Sequence, residues 1–336
     1  MTDRIKPAKC LFCYRDINEQ SGDYHPECSK KFFGQTSPPE LGYSVDEVRN
    51  LAEQVVRSQV SVPGVQPKLS LHLERARSVP GAGMQIGIPG AKFTIVGLWG
   101  EYIFKPPTED YPELPEIEDL TMHLAEIAGI KTVPHSLIRF KSGELAYISR
   151  RIDRMGKSGK KIHMEDMCQL TERLTEDKYR GSMEQVGKTI LKYSSNPGLD
   201  AVNYFELVVF SYLTGNADMH LKNFSLINSK LRNGEDVVTL APAYDLVATK
   251  LLIPEDKEEM ALPINGKKSN LMTKDFNELA SRLSIEKAAI VNVYEGLRKI
   301  QKDFEEFIRR SILSQISQEA YIDLISGRCS KLLGST

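Results

Sequence analysis

The chain has 336 residues, 44 Lys+Arg against 45 Asp+Glu for a formal net charge of -1, with 26% charged and 41% hydrophobic residues. That composition predicts a soluble globular protein and excludes both a disordered chain and a generic polyanion binder, whose affinity comes from clustered Lys and Arg neutralising phosphates. At about 150 residues per domain the length predicts two domains, and a polar Met1–Lys9 stretch with no later apolar window of about 18 residues predicts a cytosolic protein without signal peptide or membrane span.

Five cysteines are an odd number, and Cys10, Cys13 and Cys28 fall near the start, a poor fit to a secreted disulfide scaffold. Residues 1–34 read as a small Cys/His-rich appendage, and QTSPPELG (35–42) as a linker. From Ser58 to Asp153 the sequence is strand-rich: KLSLHL, QIGIPG, KFTIVGL and EYIFKPP carry β-branched and aromatic residues between Gly and Pro punctuation. One predicted helix, EIEDLTMHLAEIAG (116–129), interrupts them with Ile117, Leu120, Leu124 and Ile127 at helical spacing and Gly129 as a stop. The pair HSLIRF and LAYISRR closes the segment. From Glu165 onward the chain turns helical, with a strongly apolar helix at 203–214 and amphipathic helices over 276–333. Between them lies a β island, FSLINSK and DVVTLAPAYDL, joined by a polar turn at 231–236. The expected architecture is α+β and two-lobed, with a β-rich first lobe at 41–152 and a helical second lobe at 153–336, the layout of kinases.

The sharpest motif is GNADMHLKN (215–223), set between an apolar helix and a strand. Phosphoryl transfer needs a carboxylate that accepts a hydroxyl proton and, a short loop away, an oxygen ligand for magnesium; kinases use Asp-x4-Asn. Asp218 and Asn223 have that spacing, and Asp245 follows after a hairpin-sized interval as the metal-neutralising carboxylate. Taken one at a time these are turn and cap residues; their order and spacing favour a site. Upstream, Lys105 ends the strand EYIFK and Glu118 lies on the next helix, in the order of a phosphate-binding cation and the acid that holds it. The segment Ser61-Val62-Pro63-Gly64-Val65-Gln66-Pro67-Lys68 stands where a phosphate-covering loop belongs, though with one glycine it reads equally as a hairpin loop. GSMEQVGKT (181–189) mimics a Walker A loop but has five residues between its glycines and no preceding strand, so it reads as the lead into a helix near Glu184.

Cys10-x2-Cys13-x11-His25-x2-Cys28 offers three thiolates and an imidazole in two close pairs, which suits tetrahedral structural zinc or its vestige. Four ligands leave no open position for catalysis, so losing the metal is expected to destabilise the amino terminus and leave the chemistry largely intact. His163, Glu165, Asp166, Cys168 and Gln169 crowd together and either position substrate or satisfy one another; Cys168 and Cys329 read as core, and His72, His123 and His135 as structural.

Together SVPGVQPKLSL, the strand ending in Lys105, EIEDLTMHLAEIAGI, RRIDR (150–154), HMEDMCQL, GNADMHLKNFSL and LAPAYDL resemble the HipA family of serine/threonine kinase toxins of bacterial toxin–antitoxin modules. The resemblance implies ATP and magnesium as co-substrate, Asp218 as catalytic base, and Asn223 and Asp245 as metal ligands. It also implies Lys105 on ATP phosphate, a hinge beside adenine at Arg150, Arg151 and Ile152, and His220 and Tyr244 in the nucleotide pocket. Ser61 would be an inhibitory autophosphorylation site and an aminoacyl-tRNA synthetase the substrate. A helix-turn-helix antitoxin would be the partner, with DNA reached only through it. Long members carry an extra amino-terminal subdomain, whereas 60 residues precede Ser61 here. That resembles the short HipT-type toxins, in which a small separate protein replaces the subdomain. Pro63 removes a second serine present in some short relatives. The competing readings are a small-molecule kinase of the aminoglycoside or choline type, disfavoured because Asn216-Ala217-Asp218 lacks their His-x-Asp, and a pseudokinase scaffold acting with a DNA-binding partner.

Overall fold

The structure, a computed structural model, describes residues 8–18, 22–58, 68–74, 91–96, 100–155, 160–230 and 234–334. It divides into two compact units, Met1–Asp119 with Pro134–Gly159, and Leu120–Val133 with Lys160–Thr336.

The first unit runs α1 (Pro26–Phe33), α2 (Val45–Ser58), β1 (Leu69–Glu74), β2 (Lys92–Val96), β3 (Tyr102–Lys105), the start of α3 (Leu114–Ile127), β4 (His135–Arg139), β5 (Leu145–Arg150) and the short β6 (Arg154–Met155). β1 to β5 form one antiparallel sheet in the order β2-β1-β3-β5-β4, with Leu71 opposite both Ile95 and Tyr102, and Phe104 opposite Ile148. Period-two patterning sets its faces: Leu69, Leu71 and Leu73 are buried, while His72 between them is exposed. α1 starts on a proline at its first turn and stops at Gly34, whose φ is 77°, so its end follows from local chemistry. Its Phe33 packs edge-on against Tyr24 and Phe93 at 5.3 and 6.0 Å between ring centroids, and Phe93 against Tyr102 at 5.3 Å. The Cys/His-rich appendage is thus packed onto the first unit through the Phe33 ring. The linker is structured too: the Glu40 N–H donates to Ala91 O at 3.0 Å and the Phe93 N–H to Glu40 O at 3.2 Å, which extends the sheet beside β2.

The second unit adds β7 (Lys160–Lys161), β8 (Met164–Asp166), α4 (Met167–Leu170), α5 (Met183–Tyr193), α6 (Pro197–Leu213), β9 (Ser225–Lys230), β10 (Asp236–Leu240), α7 (Thr249–Leu252), α8 (Thr273–Arg282), α9 (Lys287–Lys299), α10 (Gln301–Arg310) and α11 (Gln315–Leu333). β8, β9 and β10 make a three-stranded sheet with β9 in the centre. α6 is apolar on nearly every side because α5, α9, α11 and β10 surround it. Tyr204, Phe205, Val208 and Phe210 are fully buried there, and at about 1.5–3 kcal/mol for burying a large apolar side chain they anchor the loop that follows α6. The Walker-like text forms α5: Ser182 Oγ caps it by accepting the Gln185 N–H at 3.2 Å, and a Cβ on Gly187 would lie 2.5 Å from Leu283 Cδ1. That glycine serves close helix packing, not a phosphate loop.

The second unit includes residues 120–133, where Thr132 bridges to Ala243. Among the described residues no helix is long and apolar enough to cross a membrane.

Candidate functional site

The loop carrying Asp218 is built from the end of α6. The Gly215 N–H donates to Tyr212 O at 3.2 Å and the Asn216 N–H to Ser211 O at 2.9 Å, the paired bonds of a Schellman stop. Gly215 has φ 77°, and a Cβ there would sit 2.6 Å from Leu324 Cδ2. Only glycine satisfies both demands. The turn is then pinned by Ala217 N–H to Thr249 Oγ1 at 2.9 Å and Asp218 N–H to Asn216 Oδ1 at 3.2 Å.

Asp218 is half-buried, and its Oδ1 accepts a hydrogen bond from Tyr179 Oη at 2.7 Å. Tyr179 is 44% exposed, lies edge-on to the buried His220 at 5.1 Å, and is held by its neighbour Lys178, whose carbonyl accepts the Leu221 N–H at 3.0 Å. Burial and then the Asp218 carboxylate push the Tyr179 phenol upward, so it remains a donor to that carboxylate. After a 3-10 turn at Leu221–Asn223, the Asn223 amide donates to Asp245 O over a long 3.5 Å. Asn223 Oδ1 is buried and has no hydrogen-bond partner among the described residues. A buried carbonyl oxygen left open beside a carboxylate residue is the donor a hard cation wants, so these residues fit magnesium. Asp245 has φ 62°, a left-handed conformation costing roughly 1–3 kcal/mol in a non-glycine residue.

Around this group the polar cluster noted in the sequence is mutually satisfied. Asp166 caps α4 in a reciprocal box with Gln169 and takes Lys222 Nζ at 2.6 Å, while His163 Nε2 lies 2.9 Å from Glu165. Tyr244 Oη donates to Lys222 O at 2.9 Å and meets Ser225 Oγ at 2.5 Å, so its hydroxyl braces the loop from beneath. Cys168 and Cys329 are core residues.

In the first unit, Lys105 Nζ and a Glu118 carboxylate oxygen form an ion pair in which the residues are 3% and 0% exposed, with the ammonium also 5.3 Å from the Tyr147 ring centroid. Past the end of β5, the Arg151 side chain grips Asp153 through two bonds of 2.9 and 2.7 Å. Burial would raise Asp153, yet Arg151 and Arg154 hold it below the usual carboxylate range. The Arg150 and Arg151 N–H groups donate to Pro134 O and Glu101 O, and Ile152 follows in a turn. Lys68 is exposed just before β1, whereas Ser61, Pro63, Gly64, Val65, Gln66 and Pro67 lie outside the described residues, as does the expected strand QIGIPG.

The ligand atoms of Cys10, Cys13, His25 and Cys28 all lie within 4.8 Å of one another. His25 Nδ1 is 3.5 Å from Cys13 Sγ and 3.8 Å from Cys28 Sγ, and its Nε2 is 3.1 Å from Asp16 O. A proton on Nε2 donating to that carbonyl leaves the Nδ1 lone pair facing the sulfurs, the outer-shell arrangement that orients a ligating histidine. Burial pushes Cys28 up to about 12 and raises Cys10, while on Cys13 burial is outweighed, chiefly by Arg15, so that it falls to about 7. The donor set fits zinc.

A family model described as HipA-like C-terminal domain matches residues 60–314. The chain belongs to this HipA-like family. A Haemophilus influenzae protein named "Putative kinase" is 29% identical over 281 residues, spanning 75% of each chain. A Sinorhizobium fredii protein, "Putative kinase Y4dM", is 28% identical over 272 residues, 77% of this chain and 61% of its own. In fold, this HipA-like chain is similar to a chain of the Shewanella oneidensis MR-1 HipA, HipB and operator DNA complex, with a TM-score of 0.65 at 21% identity, over 87% of this chain and 71% of that one.

Proposed function

We propose that this HipA-like chain is an ATP- and magnesium-dependent serine/threonine kinase, the toxin of a toxin–antitoxin module. The observation that carries the reading is the convergence of the Asp218 carboxylate, the open Asn223 Oδ1 and the strained Asp245 on one pinned loop system. Bound magnesium would neutralise the ATP phosphates, held by Asn223 and Asp245. Asp218 accepts the proton of the attacking hydroxyl as its oxygen bonds to the γ-phosphorus, and the bridging oxygen leaves with ADP. The family resemblance supports the remaining nucleotide contacts of this reading: Lys105, paired with Glu118, and Lys68 with residues 63–67 for the phosphates, Arg150 to Ile152 for adenine, and His220 and Tyr244 for the nucleotide. A helix-turn-helix antitoxin with indirect DNA contact, a small separate subdomain protein and an aminoacyl-tRNA synthetase substrate complete the proposal, together with one structural zinc on the four amino-terminal ligands.

Ser61 is the self-modification site in this reading, since phosphate adds about -1.5 to -2 charges beside Lys68 and the nucleotide. Mass spectrometry after incubation with ATP and magnesium should find phosphate on Ser61, and the modified chain should bind ATP more weakly; phosphate absent from Ser61 would refute the self-modification.

Tyr179 already donates to Asp218 as an acceptor hydroxyl must, so substrate has to displace it. A hydrogen bond to a charged group contributes about 1.5–3 kcal/mol. Tyr179→Phe should therefore raise basal ATP hydrolysis roughly tenfold, about 1.4 kcal/mol, in a phosphate-release assay. A fall in the rate would mean that Tyr179 aligns the base instead.

A further inference from the structure

Tyr14 follows Cys13 directly and has φ 57°, a region that bulky residues avoid. The turn that gathers the thiols imposes this conformation: the Tyr14 N–H donates to Cys10 O and the Cys10 N–H to Arg15 O, both at 2.9 Å. Such strain persists only where the surroundings over-determine it. In this conformation Tyr14 is fully buried in the first unit and its hydroxyl donates to Asp119 Oδ2 at 2.6 Å. The other oxygen of that carboxylate, Oδ1, lies 2.6 Å from Nδ1 of the buried His135 on β4. Three elements, the thiol knuckle, β4 and α3, thus meet on one buried carboxylate. Asp119 is the residue after Glu118, the partner of Lys105. A helix gripped from two sides at Asp119 cannot rotate or slide without carrying Glu118 off Lys105.

We propose that Tyr14 and His135 are positioning residues that fix α3 through Asp119, so that zinc in the Cys10, Cys13, His25 and Cys28 knuckle is coupled to the Lys105–Glu118 pair. The inference rests on the kinase reading of that pair and on the zinc reading of the knuckle. It departs from the sequence expectation that the knuckle is catalytically neutral, because the sequence does not reveal where the Tyr14 hydroxyl goes.

The test uses the full chain and two independent readouts. Hydrogen exchange of the α3 amides reports the positioning whether or not the chain is a kinase. ATP-dependent transfer, measured in Tyr14→Phe, Glu118→Gln and the double variant, reports its consequence. Tyr14→Phe keeps the ring, so zinc content by elemental analysis should stay near that of the parent, while the thermal midpoint should fall modestly for the lost hydrogen bond to a buried carboxylate. Exchange in α3 should rise roughly tenfold, and kcat/KM for ATP should fall by a similar factor, with little further loss in the Glu118→Gln background because both changes act on one pair. Chelation of zinc from the parent should loosen α3 in the same way. Unchanged α3 exchange in Tyr14→Phe, or full additivity with Glu118→Gln, overturns the proposal. If α3 loosens but the parent neither binds nor turns over ATP, the kinase reading fails and the coupling stands; if the purified chain holds no zinc, the zinc reading fails and the Tyr14 result still decides the rest.

Discussion

Asp218→Ala and Asp245→Asn are each expected to abolish phosphoryl transfer in a protein that remains folded. The second substitution is chosen for its backbone: Asp245 sits at φ 62°, which asparagine tolerates and alanine does not. Both residues are half-buried, so neither change opens a core cavity. In the proposed roles, losing Asp218 as general base would cost roughly 10²–10⁴-fold, and losing Asp245 as anionic metal ligand at least as much where catalysis is mostly charge neutralisation and alignment. Asn223→Ala should be milder, since water can take the place of a neutral carbonyl ligand. Steady-state transfer measured beside circular dichroism separates lost chemistry from lost fold, and an Asp218→Ala protein with parental activity would remove Asp218 from the site.

The second large effect concerns the buried pair of Lys105 and Glu118. Glu118→Ala leaves an ammonium in the interior with its main counter-charge gone, a change that typically destabilises by about 3–5 kcal/mol. Chemical denaturation should show a loss of that order. Glu118→Gln keeps an acceptor for the ammonium, so it should retain much of the stability while losing about 10²-fold in transfer, as removal of one preorganised electrostatic contact does. The double change Lys105→Met with Glu118→Leu should recover stability and no activity at all, because an apolar pair packs the site without any cation for phosphate. Recovery of activity in that double variant would show that the pair is purely structural.

The parts legible in the sequence were those written in local spacing. Asp218 and Asn223 announce themselves by a five-residue interval after an apolar helix, and β1 by its alternating leucines. α2 is equally local, since Ser44 and Glu47 form a reciprocal cap, with Ser44 N–H to Glu47 Oε2 at 2.8 Å and Glu47 N–H to Ser44 Oγ at 3.2 Å, a helix signal inside the stretch expected to be β-rich. Proline at the start and Gly34 at the end of α1 were a similar signal. What no spacing could reveal are contacts between distant side chains. Tyr179 reaches Asp218 across 39 positions, and Tyr14 reaches Asp119 across 105. His135 reads as a lone core histidine until β4 and α3 are placed together and Asp119 faces it. Asp166 likewise looks like one of several crowded polar groups until β8 pairs with β9 and Lys222 arrives beside it.

The most direct test of the proposed phosphoryl-transfer centre is the fate of γ-labelled ATP incubated with the purified parent chain, once with magnesium and once with excess chelator. Asp218, Asn223 and Asp245 acting as assigned predict label moving to serine or threonine hydroxyls of protein only when magnesium is present. Equal transfer in chelator, or label moving to a small-molecule acceptor and never to protein, would contradict it.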